Sequence, residues 1–245
     1  MVWISFGVLA LVSLVIAVFH EPRFGLVLFL ATLPVIVVYA GFVLSHISLI
    51  RDPAGELKER IQLANILTAL RIFMVVPVLV LLIERYWLWA LAVYLLGAVT
   101  DIFDGLVARR FRQVTVLGVL LDPVGDILIT GTVFTFFWLT EEVPFWLFII
   151  LMVRYVQFFV GLAVLRLLKV EPELRATMAG KVVGVIQATG IVILIGAKWY
   201  RGGALQNDAL QYLFPVLGIA FASVIVSQTV IGIKALHRLT VSSNR

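Results

Sequence analysis

The sequence predicts an all-α fold, a polytopic membrane helical bundle, on two observations. Of its 245 residues, 62% are hydrophobic and only 13% charged, and the mean hydropathy is +1.12, far above what the core of a soluble domain of this length requires. Eight apolar segments are each long enough to cross a hydrocarbon layer of ~30 Å as a helix. The breaks between them carry charge or turn signals: HEPR, RDPAG, TEEVP, KVEPE and YRGGALQND.

Taken in order, the segments fall at approximately 2–19, 24–49, 66–83, 86–108, 116–139, 144–168, 181–198 and 210–234. The first is expected to be retained, because no Lys or Arg precedes it and VFHEPRF is a poor signal-cleavage site. Between the second and third, ELKERIQLANILTALRI mixes charge with apolar residues at helical spacing. It predicts a short interfacial helix with Asn65 or Thr68 as a cap, the alternative being an ordinary cytoplasmic loop. With both termini cytoplasmic, one side collects Arg51, Lys58, Arg60, Arg109, Arg110, Arg112 and most later basic residues, while the other receives Arg23, Arg85, Lys198 and Arg201. The positive-inside rule then predicts that the 101–126 hairpin opens at the cytoplasmic face. The formal charge of +5 follows from those loops. No basic stripe with interleaved aromatics points to nucleic acid, and with Cys 0 disulfides and thiolate chemistry are excluded.

One stretch departs from this apolar background. DIFDGLVARRFRQVTVLGVLLDPVGD, from Asp101 to Asp126, brings four carboxylates into two predicted spans. Asp101 and Asp104 are three apart and Asp122 and Asp126 four apart, so each pair occupies one helical face. In an antiparallel hairpin turning near Gln113, Asp104 and Asp122 lie at matching depth and Asp101 and Asp126 about one turn deeper, within ~10–20 Å of the tip at ~1.5 Å per residue. Four charges buried together repel and lose hydration. Hard oxygen donors of this number suit two divalent cations, Mg²⁺, Mn²⁺ or Ca²⁺. Gly105 and Ala108 leave a groove beside the first pair and Gly118 one beside the second, although small residues also serve helix packing in membranes. Arg109 directs a bidentate donor toward that groove and suits a phosphate. Cations, groove and arginine together describe a diphosphate site.

The pattern Asp101-x2-Asp104-Gly105-x2-Ala108-Arg109-x8-Gly118-x3-Asp122-x3-Asp126 resembles the signature of the CDP-alcohol phosphatidyltransferase family at every fixed position. The resemblance covers about residues 60–235. It implies a six-helix core preceded by two extra N-terminal transmembrane helices, divided as 1–55, 56–236 and a cytoplasmic tail at 237–245. It further implies that Asp101, Asp104, Asp122 and Asp126 hold two divalent cations, Mg²⁺ or Mn²⁺. Asp126 would also act as general base on the acceptor hydroxyl, and Gly105, Ala108, Arg109 and Gly118 would line the CDP site. The implied reaction is phosphatidyl transfer from CDP-diacylglycerol to an acceptor alcohol with release of CMP.

NILTALRIFMVVP and GKVVGVIQ, the latter from Gly180 to Gln187, resemble the branch containing phosphatidylglycerophosphate and cardiolipin synthases. Ile127, Val183 and Gly184 depart from residues often found there. Arg154, within a span, and Arg175 and Lys181, near the cytoplasmic mouth, are expected to bind a phosphorylated acceptor. Alternatively, Arg154 pairs with an aspartate or a backbone carbonyl, and the other two only obey the charge rule. Glycerol 3-phosphate suits the first expectation; phosphatidylglycerol and inositol phosphate stay open as acceptors, as does a homodimeric state. A divalent-cation transporter is the reading from a different class, and it would have no use for Gly105, Ala108 and Arg109 at those offsets.

Overall fold

A computed structural model describes residues 63–110, 116–167, 178–200 and 208–243, together with Leu30, 32–34, 36, 37 and Gly41. Side-chain surroundings are described for 69–100, for 123–161 and for most of 180–200 and 210–233. The first predicted span, most of the second and the 111–115 connection lie outside the described residues. Among those described, all regular structure is helical.

Six helices follow in order: α1 (Leu63–Ile83), α2 (Trp87–Arg110), α3 (Val116–Leu139), α4 (Phe145–Leu167), α5 (Met178–Tyr200) and α6 (Asp208–Ser243). They overlie the last six apolar segments, and α3 has the predicted bounds. Asn65 and Thr68 do not cap an interfacial helix: both lie inside α1, which is already helical at Leu63. The charged residues of the expected interfacial helix, 56–62, lie outside the described residues. α6 continues through Ser243.

Two helices end in the same way. After α1, Arg85 donates to Leu82 O at 3.1 Å and Tyr86 to Leu81 O at 2.9 Å, and Arg85 has φ 62°. After α3, Glu141 donates to Trp138 O at 3.0 Å and Glu142 to Phe137 O at 2.8 Å, and Glu141 has φ 60°. Both are Schellman caps, in which a left-handed residue returns two amides to the orphaned carbonyls of the last turn. Pro144 then precedes α4, where its missing N–H costs nothing.

The chain divides into two compact units, Met1–Val133 with Lys198–Gly203, and Phe134–Ala197 with Ala204–Arg245. In the first, Ala69, Phe73, Val78, Leu81, Leu82 and Ala90 are buried on α1 and α2. In the second, Phe134, Leu147, Leu151, Ile191, Leu217 and Phe221 form the core, and the Phe134 and Phe221 rings meet edge to face at 5.9 Å.

Large apolar side chains also remain outside, among them Leu139, Leu167, Val185 and Ile219. Val182–Tyr200 and Tyr212–Ile233 are long and apolar enough to cross a bilayer, with only 39% and 28% of their windows buried, unlike the core helices of a soluble protein. Ala69–Ile83, Trp87–Thr100, Pro123–Leu139 and Phe145–Gly161 are shorter apolar stretches. Those four stretches lie within helices of 21 to 24 residues, most of whose remaining side chains are outside the described residues.

Candidate active site

Asp101, Asp104, Gly105, Ala108 and Arg109 lie on the C-terminal half of α2, and Gly118, Asp122 and Asp126 on the N-terminal half of α3. Apart from Asp126, which is exposed, their side chains are outside the described residues. The backbone and one contact nevertheless fix the register of the pair. At Gly97 on α2, an added Cβ would stand 3.4 Å from Ile129 Cδ1 on α3. Gly97 and Ile129 are each sixteen residues from Gln113. Asp104 and Asp122 are each nine residues from it, so the register that joins Gly97 to Ile129 sets these two aspartates at one level.

The facing sides agree as well. Asp101, Asp104 and Ala108 follow Gly97 at four, seven and eleven residues, and Asp126, Asp122 and Gly118 precede Ile129 at three, seven and eleven. At 3.6 residues per turn these are continuations of the stripes that touch at Gly97 and Ile129. Glycine at 97 allows the close approach. Thr100, next to Asp101, is buried and donates to Gly97 O at 2.7 Å, which satisfies its hydroxyl within the helix.

This arrangement fits the divalent cations that the donor set implies. Four carboxylates carry the hard oxygen donors that Mg²⁺ or Mn²⁺ prefers. Among the residues with described side chains there is no group of three or more His, Cys, Asp or Glu.

Arg154 lies on α4, half-buried. Its Nη1 donates to Oε1 of Gln187 on α5, and the guanidinium carbon stands 5.7 Å from the Phe221 ring centroid on α6. Gln187 is 2% exposed. The side-chain amide joins α4 to α5 across 33 residues of sequence, a relation no local pattern reports. Nearby, Gln157 Nε2 donates to Ile225 O at 3.1 Å and to Thr229 Oγ1 at 2.7 Å, so α4 is tied to α6 by a second polar contact. Lys181 lies in α5, its side chain outside the described residues, as is all of Arg175.

Sequence reasoning passed over Arg71. It lies on α1 at 3% exposure, and its Cδ and Nη1 are 3.6 and 3.9 Å from where a Cβ on Gly125 would stand. Gly125 is the residue before Asp126. A lone arginine in an apolar span was the available signal.

The chain belongs to the CDP-alcohol phosphatidyltransferase family, whose model matches residues 61–227. A probable phosphatidylglycerophosphate synthase of Mycobacterium tuberculosis is 31% identical over 143 residues, 54% of this chain and 65% of that protein. A cardiolipin synthase (CMP-forming) of Streptomyces coelicolor is 42% identical over 79 residues, 32% and 36% of the two chains. A CDP-diacylglycerol–glycerol-3-phosphate 3-phosphatidyltransferase of Cereibacter sphaeroides is 44% identical over 66 residues, 25% and 30%. The matches thus span from under a third to just under two thirds of these relatives. No solved structure matches the chain.

Proposed function

We propose that this chain transfers a phosphatidyl group from CDP-diacylglycerol to the hydroxyl of glycerol 3-phosphate, giving phosphatidylglycerophosphate and CMP. The observation that carries the reading is the complete aspartate signature on two antiparallel helices whose stripes meet at Gly97 and Ile129. Family membership supports the reaction class. The names of the mycobacterial and Cereibacter relatives favour the acceptor.

In this reading Asp101, Asp104, Asp122 and Asp126 hold two divalent cations, which when bound neutralise the diphosphate and the departing phosphate. The gap beside Gly105, Ala108 and Gly118 admits the CDP moiety, and Arg109 binds its phosphates through a bidentate fork. Asp126 takes the proton from the acceptor hydroxyl. The freed oxygen attacks the phosphorus that carries diacylglycerol, the bond from that phosphorus to the CMP oxygen breaks, and CMP leaves with its electron pair. Arg154 has five N–H donors. With one directed to Gln187, others are available to an acceptor phosphate, with Arg175 and Lys181 as further cations.

The chain is read as multi-pass, with the hairpin opening at the cytoplasmic face, as the distribution of Lys and Arg supports. The relative named cardiolipin synthase keeps one second reading in view, with phosphatidylglycerol as acceptor. An acceptor screen with the purified chain, CDP-diacylglycerol and Mn²⁺ or Mg²⁺ separates the two. CMP release with glycerol 3-phosphate but not with free glycerol supports the proposal; release with phosphatidylglycerol alone replaces it.

A further inference from the structure

Three contacts, each joining a different pair of helices, define one layer of the first compact unit. A Cβ at Gly97 of α2 would stand 3.4 Å from Met74 Sδ of α1 and 3.4 Å from Ile129 Cδ1 of α3, and one at Gly125 of α3 would stand 3.6 Å from Arg71 Cδ of α1. α1 runs antiparallel to α2 across the tight turn at Glu84–Tyr86. Stepping three residues back from Met74 along α1 reaches Arg71. The matching step along α2 from Gly97 reaches Thr100 and Asp101, and along α3 from Ile129 it reaches Asp126 and Gly125. Arg71 therefore belongs to the layer of Asp101 and Asp126, the deeper members of the two carboxylate pairs.

Its burial makes that position consequential. Arg71 is 3% exposed, its guanidinium is permanently charged, and a buried charge is stable only beside compensating groups. Carboxylates in the same layer repel one another, and a fixed cation beside them offsets that repulsion whether or not ions from solution are present.

We propose that Arg71 is a positioning residue, an internal counter-ion that offsets the charge of Asp101 and Asp126 and fixes their orientation before divalent cations bind. This rests on the reading of the aspartates as metal ligands. Arg71 has no contact with the reacting atoms in this role. It does from within α1 part of what the bound cations do from solution, so its loss should be felt most when they are absent.

The test compares the purified full chain with Arg71→Met, which keeps most of the side-chain volume, and Arg71→Lys, which keeps the charge without the fork. Thermal unfolding is followed with EDTA and with saturating Mn²⁺, and CMP release is measured alongside. Arg71→Met should lower the metal-free midpoint by roughly 5–10 °C in a chain of this size. Mn²⁺ should restore most of that loss, so its stabilising shift becomes larger than in the wild type, and Arg71→Lys should fall between. Equal losses with and without Mn²⁺ would reduce Arg71 to packing and overturn the proposal. If Arg71→Met does not fold under either condition, Arg71→Lys decides: an Mn²⁺ shift no larger than that of the wild type overturns it as well. A wild-type chain with neither an Mn²⁺ shift nor CMP release would remove the metal reading itself, whereas a wild type with both and an unchanged shift in the variants would remove only the role of Arg71.

Discussion

Replacing Arg154 by leucine tests whether this half-buried cation on α4 is held ready for an anion. Its Nη1 donates to Gln187 Oε1, and its guanidinium carbon stands 5.7 Å from the Phe221 centroid. A charge-assisted hydrogen bond is worth ~1.5–3 kcal/mol, and a cation–π contact adds ~0.5–2 kcal/mol when partly desolvated. Against these, leucine gives back the cost of keeping a guanidinium half-buried, so the hydrogen bond sets the scale. Arg154→Leu and Gln187→Leu should each lower the unfolding midpoint by about 3–12 °C, at ~2–4 °C per kcal/mol for a chain of this size. The double variant should lose less than the sum, because an apolar pair leaves no buried charge or amide without its counterpart. Unfolding of the four proteins in detergent gives the coupling. In the acceptor assay, Arg154→Leu should lower kcat/KM for glycerol 3-phosphate by roughly ten- to a hundredfold, chiefly through KM, and leave affinity for the CDP-lipid near its original value. Strictly additive midpoints would refute the pairing, and an equal loss of CDP-lipid affinity would refute the assignment of Arg154 to the acceptor.

Asp126→Asn should abolish CMP release while CDP-lipid binding persists in part, and Asp104→Asn should impair both; equal binding losses in equilibrium measurements would make Asp126 chiefly a ligand. Gly105→Leu and Ala108→Leu should prevent nucleotide binding in a folded chain, seen as an unchanged midpoint with loss of the CDP-lipid-induced shift. If these variants fail to fold, the two small residues serve packing. Gly190→Ala should destabilise by ~1–3 kcal/mol, since its Cβ would stand 2.8 Å from Leu217 Cδ2 and Leu217 is 0% exposed. Gly184→Ala on the same helix, with nothing within 4 Å, should be neutral or stabilising by up to ~1 kcal/mol, and opposite thermal shifts for this pair check the packing of α5.

Much of this architecture is legible in sequence because each helix is an apolar run closed by polar breaks. The segments expected at 66–83 and 116–139 became Leu63–Ile83 and Val116–Leu139. The turns were less legible, since Arg85 and Glu141 take the left-handed caps where glycine is the usual signal. Spacing alone predicted that Asp104 and Asp122 share a level, and the Gly97–Ile129 contact has the same register. Arg71 and the Arg154–Gln187 pair were a different matter. Each depends on which helices pack side by side, and neither contact has a short-range pattern.

The central claim is that the facing stripes of α2 and α3 form a cation-dependent phosphatidyl-transfer site. The measurement that tests it most directly is CMP release by the purified chain from CDP-diacylglycerol and glycerol 3-phosphate, titrated with Mn²⁺ and then chelated with EDTA. The account predicts release that requires the divalent cation, stops on chelation, returns when the ion is restored and is absent in Asp104→Asn. Release that persists in excess EDTA, or no release with any acceptor alcohol while Mn²⁺ crosses the membrane of liposomes containing the chain, would contradict it.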